Sequence, residues 1–354
     1  MHVIEKSKFP ITSLVDAVIG INPTNFWLKK INPLWSINQA LGKIIKKEVI
    51  ANDTVSLTLR CNRHFRTGQA GQHHPVFVNI HGIRYERTYS LTSLDDQTVL
   101  LTVKKVDQGK VSSWLVEQAQ VGDLLEFGQP YGDMLLPDQK SLLLLAAGSG
   151  ITPMYSLIHA MFKSAVIHQT PVHLMYWVKK NQDSAFKAQF EAWAQQNSNF
   201  TFQCFFTQEQ DPDARLNEMH LDDLAEIEQR AVYACGPSGF TTQVEKLFHH
   251  ADIIKTEAFS MTPILNDDVG FVNITLTQSN KVLAIPKGQS ILLGLEQHDI
   301  KPKHGCRMGI CNKCACNKQE GSTKNLVNGM QNNEPGNFLK ICVNSAQTDL
   351  TIDL

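Results

Sequence analysis

Four cysteines in the last quarter of the chain have the spacing of ligands to a metal centre. Cys306, Cys311 and Cys314 follow the pattern C-x4-C-x2-C, and Cys342 lies further downstream. Thiolates with this spacing can wrap around a core of two irons and two sulfides. We therefore expect a 2Fe–2S cluster that is held by these four side chains.

A structural zinc site is the alternative for the same thiols. Zinc sites of this kind usually combine two C-x2-C pairs, whereas this stretch has only Cys311–Cys314. Gly305 and Gly309 leave room for backbone N–H groups to face the sulfides of a cluster. We expect Cys316, an extra thiol beside the loop, not to be a ligand.

A second group of residues has the chemistry that a flavin needs. Arg87-Thr88-Tyr89-Ser90 lies at the end of a predicted strand, and Gly109-Lys110-Val111-Ser112-Ser113 opens a predicted short helix. An arginine and a helix start with serine hydroxyls suit a pyrophosphate, and a tyrosine can lie against an isoalloxazine ring. A barrel strand with a surface arginine and a core tyrosine is the alternative.

A third group suits a nicotinamide nucleotide. Gly148-Ser149-Gly150-Ile151-Thr152-Pro153 follows an apolar strand, but Pro153 occupies the place of the third glycine of the dinucleotide fingerprint. We expect Thr152 to cap the next helix and Pro153 to occupy its first position. Cys235-Gly236-Pro237 closes another predicted strand at its carboxyl end, where α/β sheets bind ligands. A buried strand cysteine is the alternative for Cys235.

Together these motifs resemble the ferredoxin–NADP reductase superfamily over residues 45–262. The cysteine segment, from Ile285 to the predicted closing strand Leu350–Leu354, resembles a plant-type ferredoxin of roughly 85 residues. The resemblance implies an NAD(P)H-dependent oxidoreductase with a fused one-electron carrier. The Val-Ser-x-Trp form after Gly109 is similar to the members that use FAD, not FMN.

The same resemblance implies roles for individual residues. Ser90 and Cys235 position the nicotinamide over the flavin without acting as nucleophiles, and Glu257 completes the catalytic set. The residues implied to bind FAD or the nucleotide are Arg87, Thr88, Tyr89, Ser90, Gly109, Val111, Ser112, Ser113, Gly148, Ser149, Gly150, Thr152, Pro153, Lys179, Lys180, Gly236, Pro237 and Phe259.

The pattern of apolar residues predicts a multidomain protein. We expect an N-terminal extension over 1–40, an antiparallel β-barrel flavin domain over 41–138, a doubly wound α/β nucleotide domain over 139–262, and an α+β ferredoxin-like (β-grasp) domain over 268–354. A linker is expected from Ser260 to Asp268. The predicted strands are Thr54–Leu59, Val76–Ile80, Val99–Val106, Leu142–Ala147, Val172–Val178, Phe200–Phe206 and Ala231–Cys235.

The N-terminal extension has two features of its own. Ile11, Leu14, Val15, Val18 and Ile19 have the spacing of an amphipathic helix. An aromatic and basic stretch over 26–35 follows. It either packs against its own domain, or it contacts a partner or a membrane surface as a peripheral anchor.

Composition excludes several classes of function. The 354 residues carry a formal net charge of −1, so nucleic acid is not expected as a partner. Ser141–Phe162 has no charged residue, but glycines and a proline in its middle favour a strand, turn and helix over a membrane span. The first six residues lack the apolar run of a secretory leader, and we expect a cytoplasmic protein, peripheral at most at the inner face of a membrane.

Electron counting then predicts the function. A reduced nicotinamide delivers two electrons together, a cluster accepts one at a time, and a flavin can connect the two. We expect electrons to pass from NADPH through FAD and the cluster to a protein acceptor. The alternatives are direct reduction of a small molecule and a zinc-bearing, non-redox binding module.

The choice of nucleotide depends on the end of the second α/β strand. Lys179 and Lys180 follow it, and the nearest acid, Asp183, lies further on. Two lysines favour a 2′-phosphate and therefore NADPH, with NADH as the second choice. A solvated pair of lysines is the alternative.

The acceptor is predicted from charge and from one further resemblance. Residues 268–354 contain nine Lys and Arg against seven acids, and His298–Lys318 has five basic residues against Asp299 alone. This bias favours docking on an acidic face, although solubilising charge is an equal alternative. Ile31–Trp35 resembles the reductases that serve di-iron membrane fatty-acid desaturases. The expected acceptor is such a desaturase or a lipid hydroxylase, with a soluble Rieske-type oxygenase next.

Overall fold

The computed structural model describes residues 20–107, 109–136, 141–209, 214–222, 224, 226–260, 270–309, 311–327 and 329–354. The helix predicted over Ile11–Ile19 and nearly all of the linker predicted over Ser260–Asp268 lie outside these ranges. A first helix, α1 (Ile21–Ile31), precedes the barrel. None of the helices in the described part of the chain is long and apolar enough to cross a membrane.

The first folded unit is a closed barrel of six antiparallel strands. The strands lie in the order β1-β2-β5-β4-β3-β6, and their apolar side chains alternate into one core that includes Ile44, Leu57 and Leu101. A short helix, α2 (Lys110–Ser113), follows β5 and continues as a π-helical turn over Trp114–Gln118. The strands are β1 (Ala40–Ala51), β2 (Thr54–Cys61), β3 (His73–Ile80), β4 (Ile83–Ser93), β5 (Thr98–Lys104) and β6 (Leu124–Phe127).

The second unit is a five-stranded parallel sheet in the order β11-β10-β7-β8-β9. Its central strand β7 is buried along its whole length, as strands covered on both faces are. The strands are β7 (Leu142–Ala147), β8 (Val172–Val178), β9 (Phe200–Phe206), β10 (Ala231–Pro237) and β11 (Ile253–Ser260), and the helices are α3 (Ile151–Lys163), α4 (Lys187–Gln196) and α5 (Ser238–Leu247).

The third unit is an α+β fold around the cysteine loop. One sheet has the order β13-β12-β19-β14-β17, and a smaller one has the order β16-β15-β18. The strands are β12 (Phe271–Leu276), β13 (Lys281–Pro286), β14 (Ala315–Glu320), β15 (Thr323–Asn325), β16 (Gln331–Asn332), β17 (Asn337–Lys340), β18 (Asn344–Ala346) and β19 (Leu350–Ile352), with helix α6 (Ile291–Gln297). The predicted fold class is thus confirmed for all three units.

Several local predictions were wrong at element ends. Strand β5 ends at Lys104 rather than Val106, β4 continues past Ser90 to Ser93, and β11 was not predicted as a strand. Thr152 does not cap α3 and Pro153 is its third residue, not its first: Gly148–Gly150 forms a 3-10 turn that runs directly into the helix at Ile151. The Thr152 hydroxyl donates to the carbonyl of Ser149 at 3.2 Å instead.

Gly150 holds this turn against the end of β10. Its φ is that of a helix, so the need for glycine comes from space and not from backbone conformation. An added Cβ would overlap the carbonyl of Cys235 and would lie 2.8 Å from the nitrogen of Gly236. Because both neighbours are backbone atoms, neither can move aside cheaply.

Gly150→Ala is expected to lower the free energy of unfolding by about 1–3 kcal/mol, the usual cost of overfilling a packed site. Urea denaturation followed by circular dichroism measures it. Ser149→Ala is the matched control, because Ser149 is exposed one residue earlier in the same turn. Equal free energies of unfolding for the two variants would show that the turn can move away from β10 without loss of stability, and that glycine is not required at position 150.

Candidate active site

The three units meet at one cavity of about 250 Å³. Its walls come from the flavin motif on β4, from the first turn of α2, from the turn after β7, and from the cysteine loop. The lining residues are Arg87, Thr88, Tyr89, Ser90, Thr102, Val103, Lys104, Val106, Gly109, Val111, Ser112, Ser149, Thr152, Phe259, Cys306 and Met308.

The predicted site residues divide into those that line this cavity and those that do not. Gly148 lines a smaller adjoining cavity together with Ser149 and Thr152. Thr102, Val103, Lys104, Val106 and Met308 line the main cavity without having been predicted, because strand and loop residues of ordinary type carry no sequence signal for this position. The predicted residues outside the main cavity are Ser113, Gly148, Gly150, Pro153, Lys179, Lys180, Cys235, Gly236, Pro237, Glu257, Cys311, Cys314 and Cys342.

Arg87 has the environment of an anion-binding side chain. Burial lowers the pKa of its guanidinium, and the nearby positive charge of Arg307 acts in the same direction. Its Nη1 donates to the carbonyl of Glu86 at 2.7 Å, and no carboxylate of the described residues forms an ion pair with it. A phosphate would supply the missing counter-charge.

The Ser112 side chain was expected to bind the pyrophosphate, but its hydroxyl is hydrogen-bonded within its own loop. Its hydroxyl accepts a hydrogen bond from the Val106 nitrogen at 3.1 Å and donates to the Gly109 carbonyl at 3.2 Å. A Cβ on Gly109 would overlap this hydroxyl, so glycine is needed for the tight loop. The side chain therefore shapes the loop, and the backbone of this turn is left to face a pyrophosphate.

Cys235 is fully buried at the end of β10. Burial raises the pKa of its thiol well above the ordinary value, and the charge of Glu257 on the paired strand β11 adds to the effect. The thiol is therefore neutral at physiological pH. A neutral thiol is not a nucleophile, as expected of a side chain that only positions the nicotinamide or, in the alternative, only packs in the strand.

A histidine that sequence reasoning missed connects two predicted catalytic residues. His73 Nδ1 is hydrogen-bonded to Ser90 Oγ at 2.9 Å, and His73 Nε2 lies 2.6 Å from Glu257 Oε2. The angle of the second contact is outside that of a regular hydrogen bond. The only available signal was a His-His pair in an otherwise apolar strand.

The four predicted cluster ligands form two sulfur pairs. Cys314 Sγ and Cys342 Sγ are 3.1 Å apart. Backbone nitrogens of Met308 and Cys311 donate to Cys306 Sγ at 3.4 and 3.3 Å. Two pairs of thiolates with backbone donors around them fit a core of two irons, each of which takes two sulfurs.

The ionisation of the thiols within each pair supports their assignment as cluster ligands. The hydrogen bond between the two thiols of each pair lowers the pKa of Cys311 in one pair and of Cys314 in the other. One sulfur of each pair is thus ready to bind as a thiolate. Cys316, by contrast, is buried away from the pairs, which raises the pKa of its thiol to about 12.

The basic residues of the cluster loop are mostly engaged within the chain, which corrects the docking prediction. Arg307 pairs with Glu296 through both guanidinium nitrogens, at 3.0 Å for Nη1. Lys313 Nζ lies 2.5 Å from Glu86 Oε1 on the barrel. Lys318 is buried and donates to backbone carbonyls. Of the five, the exposed ones left for a partner are Lys301 and Lys303.

Lys179 and Lys180 lie exposed immediately after β8. The nearest acid is not free to bind a ribose. Asp183 is buried, accepts from the Lys180 nitrogen at 3.2 Å, and lies 3.7 Å from Lys104 Nζ.

Three models of known domain families match three successive parts of the chain. A model of an oxidoreductase FAD-binding domain matches residues 41–135. An oxidoreductase NAD-binding domain matches 144–246, and a 2Fe-2S iron-sulfur cluster binding domain matches 274–343.

Two relatives are similar over most of the chain. An NADPH oxidoreductase of Mycobacterium tuberculosis (strain ATCC 25618 / H37Rv) is 28% identical over 93% of this chain and 88% of its own length. The phthalate dioxygenase reductase of Burkholderia cepacia is 25% identical over 88% of this chain and 96% of its own length. A solved structure of a phthalate dioxygenase reductase superposes with a TM-score of 0.66 at 23% identity, covering 89% of this chain and 98% of that one.

The ligand assignment predicts that substituting Cys342 lowers the iron content of the protein, whereas substituting Cys316 does not. Cys342→Ser is expected to remove most of the bound iron and acid-labile sulfide, because it breaks one sulfur pair. Cys316→Ser is the matched control, since its buried thiol is hydrogen-bonded to the Leu339 carbonyl at 3.8 Å and is not one of the paired sulfurs. Iron and sulfide analysis of the purified variants measures both, and equal losses from the two would overturn the assignment.

Proposed function

We propose an electron route through this chain on the premise that it is a reductase of the ferredoxin–NADP reductase superfamily with a C-terminal 2Fe–2S ferredoxin domain. As such it is an NAD(P)H-dependent oxidoreductase that uses FAD and a 2Fe–2S cluster and passes electrons to a protein acceptor. The observation that carries the route is the single cavity shared by Tyr89, Ser149 and Cys306. FAD, when bound, takes two electrons from the nicotinamide and gives them up singly.

We assign the residues around the cavity to the steps of this route. Arg87 binds the FAD phosphates, and Tyr89 covers the flavin ring. Ser90 and the neutral Cys235 orient the nicotinamide, while the turn that begins at Gly148 faces the nucleotide pyrophosphate. Cys306 and Met308 bring the cluster loop to the flavin wall, so that electrons cross a short gap. The corresponding domains are 41–138, 139–262 and 268–354, after an extension over 1–40.

NADPH is proposed as the preferred nucleotide. Lys179 and Lys180 are exposed at the end of β8 and could bind a 2′-phosphate, whereas Asp183 is engaged with Lys104. The name of the mycobacterial relative, an NADPH oxidoreductase, supports the same choice.

The acceptor is proposed to be a membrane enzyme of the fatty-acid desaturase or lipid hydroxylase type. Helix α1 supports it, because its buried residue is polar while its aromatic residues face outward. Asn25 is buried and accepts hydrogen bonds from Ser36 Oγ and the Ile37 nitrogen at 3.1 and 2.8 Å. These bonds hold the helix against the entry to the barrel with its apolar face outward.

The exposed face of this helix and the segment after it form an aromatic patch: Phe26, Trp27 and Ile31 of the helix and Trp35 beyond it are 56%, 67%, 73% and 50% exposed. Lys29 and Lys30 lie beside them, and Lys30 Nζ is 5.4 Å from the Phe26 ring centroid. Tryptophan beside lysine is the composition of surfaces that insert at the headgroup level of an anionic bilayer. Such a contact would place the reductase at the inner face of the membrane that holds its acceptor.

A soluble oxygenase is the second candidate acceptor. The relative named phthalate dioxygenase reductase favours it. Reconstitution distinguishes the two: membranes that carry a desaturase, supplied with NADPH and this protein, should form product, and the cluster-deficient Cys342→Ser variant should not. If product never exceeds the reductase-free control while a soluble oxygenase is supported, the membrane acceptor is wrong. A zinc-bearing, non-redox binding module would fail both assays and would not oxidise NADPH.

Replacing Lys179 and Lys180 by alanine is expected to lower kcat/KM for NADPH by at least about tenfold, because a charge-assisted hydrogen bond contributes roughly 1.5–3 kcal/mol. The value for NADH should stay within about twofold, since it lacks the phosphate. Lys246→Ala, an exposed lysine on α5, is the control. A parallel fall for both nucleotides would refute the phosphate contact.

Replacing both Trp27 and Trp35 by serine is expected to reduce binding to phosphatidylserine-containing vesicles by at least about tenfold, because each buried ring contributes roughly 1.5–3 kcal/mol. Vesicle co-sedimentation over a salt series measures it, and ferricyanide reduction should be unchanged. Phe271→Ser is the matched control, since this ring is 71% exposed on the ferredoxin unit. If the double variant binds vesicles as well as the unaltered protein does, the aromatic patch does not contact the membrane.

A further inference from the structure

A separate cavity of about 440 Å³ lies between the segment after α1 and the end of β2, and we call it the α1 cavity. Its volume is within the range of pockets that hold small ligands, about 300–1,000 Å³. No step of the electron route uses it. Its walls include Asn32, Trp35, Arg60, Arg63, His64 and Gln97.

Two arginines give the α1 cavity a positive charge. The side chains of Arg60 and Arg63 are both exposed. Neither forms an ion pair within the described part of the chain. Arg60 Nη2 donates to Gln97 Oε1 at 3.3 Å, which is a neutral partner at long distance. Two guanidinium groups without a carboxylate can each donate two hydrogen bonds to a phosphate.

One carboxylate acts on Arg60 from outside the cavity walls. Asp95 accepts a hydrogen bond from the Gln97 nitrogen at 2.8 Å, and this bond is the main reason why the pKa of its carboxyl is lowered. The charge of Arg60 contributes in the same direction. Because Asp95 is exposed, water and salt screen its attraction for Arg60. The α1 cavity therefore keeps the positive charge of its arginines.

Hydrogen bonds from the residues after β2 fix the opposite wall of this cavity. His64 Nε2 donates to the Ser36 carbonyl at 2.9 Å, and Asn62 Nδ2 donates to the Leu34 carbonyl at 3.1 Å. These two bonds hold the backbone on both sides of Trp35. The position of the Trp35 ring relative to the arginines is thus set by the fold and not by a free loop.

Trp35 belongs both to the α1 cavity and to the aromatic patch. Its ring is half exposed, and a tryptophan of such a patch lies at the headgroup level when the patch contacts a bilayer. The arginines that share the cavity with this ring would then lie in the layer that contains the lipid phosphates. This placement favours a phosphate that belongs to a lipid over a free phosphate in solution.

We propose that the α1 cavity binds the phosphodiester headgroup of an anionic phospholipid, with Arg60 and Arg63 on the phosphate oxygens. The proposal rests on the membrane contact proposed above and names the lipid chemistry that this contact selects. Asn32 and Gln97 line the same cavity. Their amides can donate to and accept from the hydroxyl groups of a glycerol headgroup. Phosphatidylglycerol is therefore the expected lipid.

Replacing both Arg60 and Arg63 by lysine tests the site without changing the net charge. Lysine lacks the planar fork that binds a phosphate through two hydrogen bonds. We expect the affinity for phosphatidylglycerol-containing vesicles to fall by at least about tenfold, because each replacement removes a charge-assisted hydrogen bond. Co-sedimentation of the holoprotein at physiological salt measures it, and ferricyanide reduction should be unchanged.

The matched control is the same exchange at two other arginines of the barrel unit. Arg66→Lys and Arg84→Lys are combined, because both side chains are exposed and neither lines the α1 cavity. This variant should bind vesicles as the unaltered protein does. If the Arg60 and Arg63 variant also binds as the unaltered protein does, the headgroup site is wrong, while the membrane contact of the aromatic patch stands.

Soluble competitors distinguish the sources of the bound group. Glycerophosphoglycerol, inorganic phosphate and a hexaglutamate peptide are added separately to vesicle-bound protein. Glycerophosphoglycerol, which is the headgroup without acyl chains, should release the protein at the lowest concentration. More effective release by inorganic phosphate would indicate a general phosphate site, and more effective release by hexaglutamate would indicate an acidic protein segment. Either result would overturn the lipid proposal.

The unaltered protein separates this proposal from the function on which it rests. If it binds no phosphatidylglycerol-containing vesicles, the proposed membrane contact is wrong and the headgroup site falls with it. If it binds them but fails to reduce ferricyanide with NADPH, the electron route is wrong, while the lipid site is still decided by the arginine variants.

Discussion

The close meeting of three folded units at one cavity is the constraint on which the rest of the structure depends. A cluster loop can receive electrons from a flavin only across a short gap, and a nicotinamide must reach the same flavin from the other side. The Lys313–Glu86 contact holds the cluster loop to the barrel at 2.5 Å. The close approach of Gly150 to Cys235 sets the opposite wall. Cofactor chemistry then needs no acid or base for the difficult step, only distance and orientation.

Side chains of different chemistry lie on different walls of this cavity. Cys306 and Met308 line the wall formed by the cluster loop, whereas Ser90 lines the barrel wall and is hydrogen-bonded to His73. The neutral state of Cys235 fits the same division, because a thiolate there would place a second negative charge beside Glu257. The outward aromatic face of α1 does not line the cavity. We therefore connect this face with the location of the acceptor.

Much of this organisation could be predicted from sequence, because its signals are local. The cysteine spacing, the R-x-Y-S strand and the G-x-G-x-T-P turn each occupy a few consecutive residues, and β7 to β10 are short apolar runs. The errors have a different origin. The start of α3 is set by contact with Cys235, the partner of Lys313 is Glu86 of the distant barrel, and the His73 contacts depend on the register of β3 and β4 and on β11. Pairing over such distances leaves no mark in consecutive residues.

The most direct measurement is an anaerobic titration of the purified protein with NADPH, followed by visible absorbance and electron paramagnetic resonance, together with metal analysis. We expect a coloured protein with FAD and two irons per chain, in which NADPH bleaches the flavin and produces the signal of a reduced cluster. A colourless protein, or one that contains zinc without iron and does not oxidise NADPH, would contradict it.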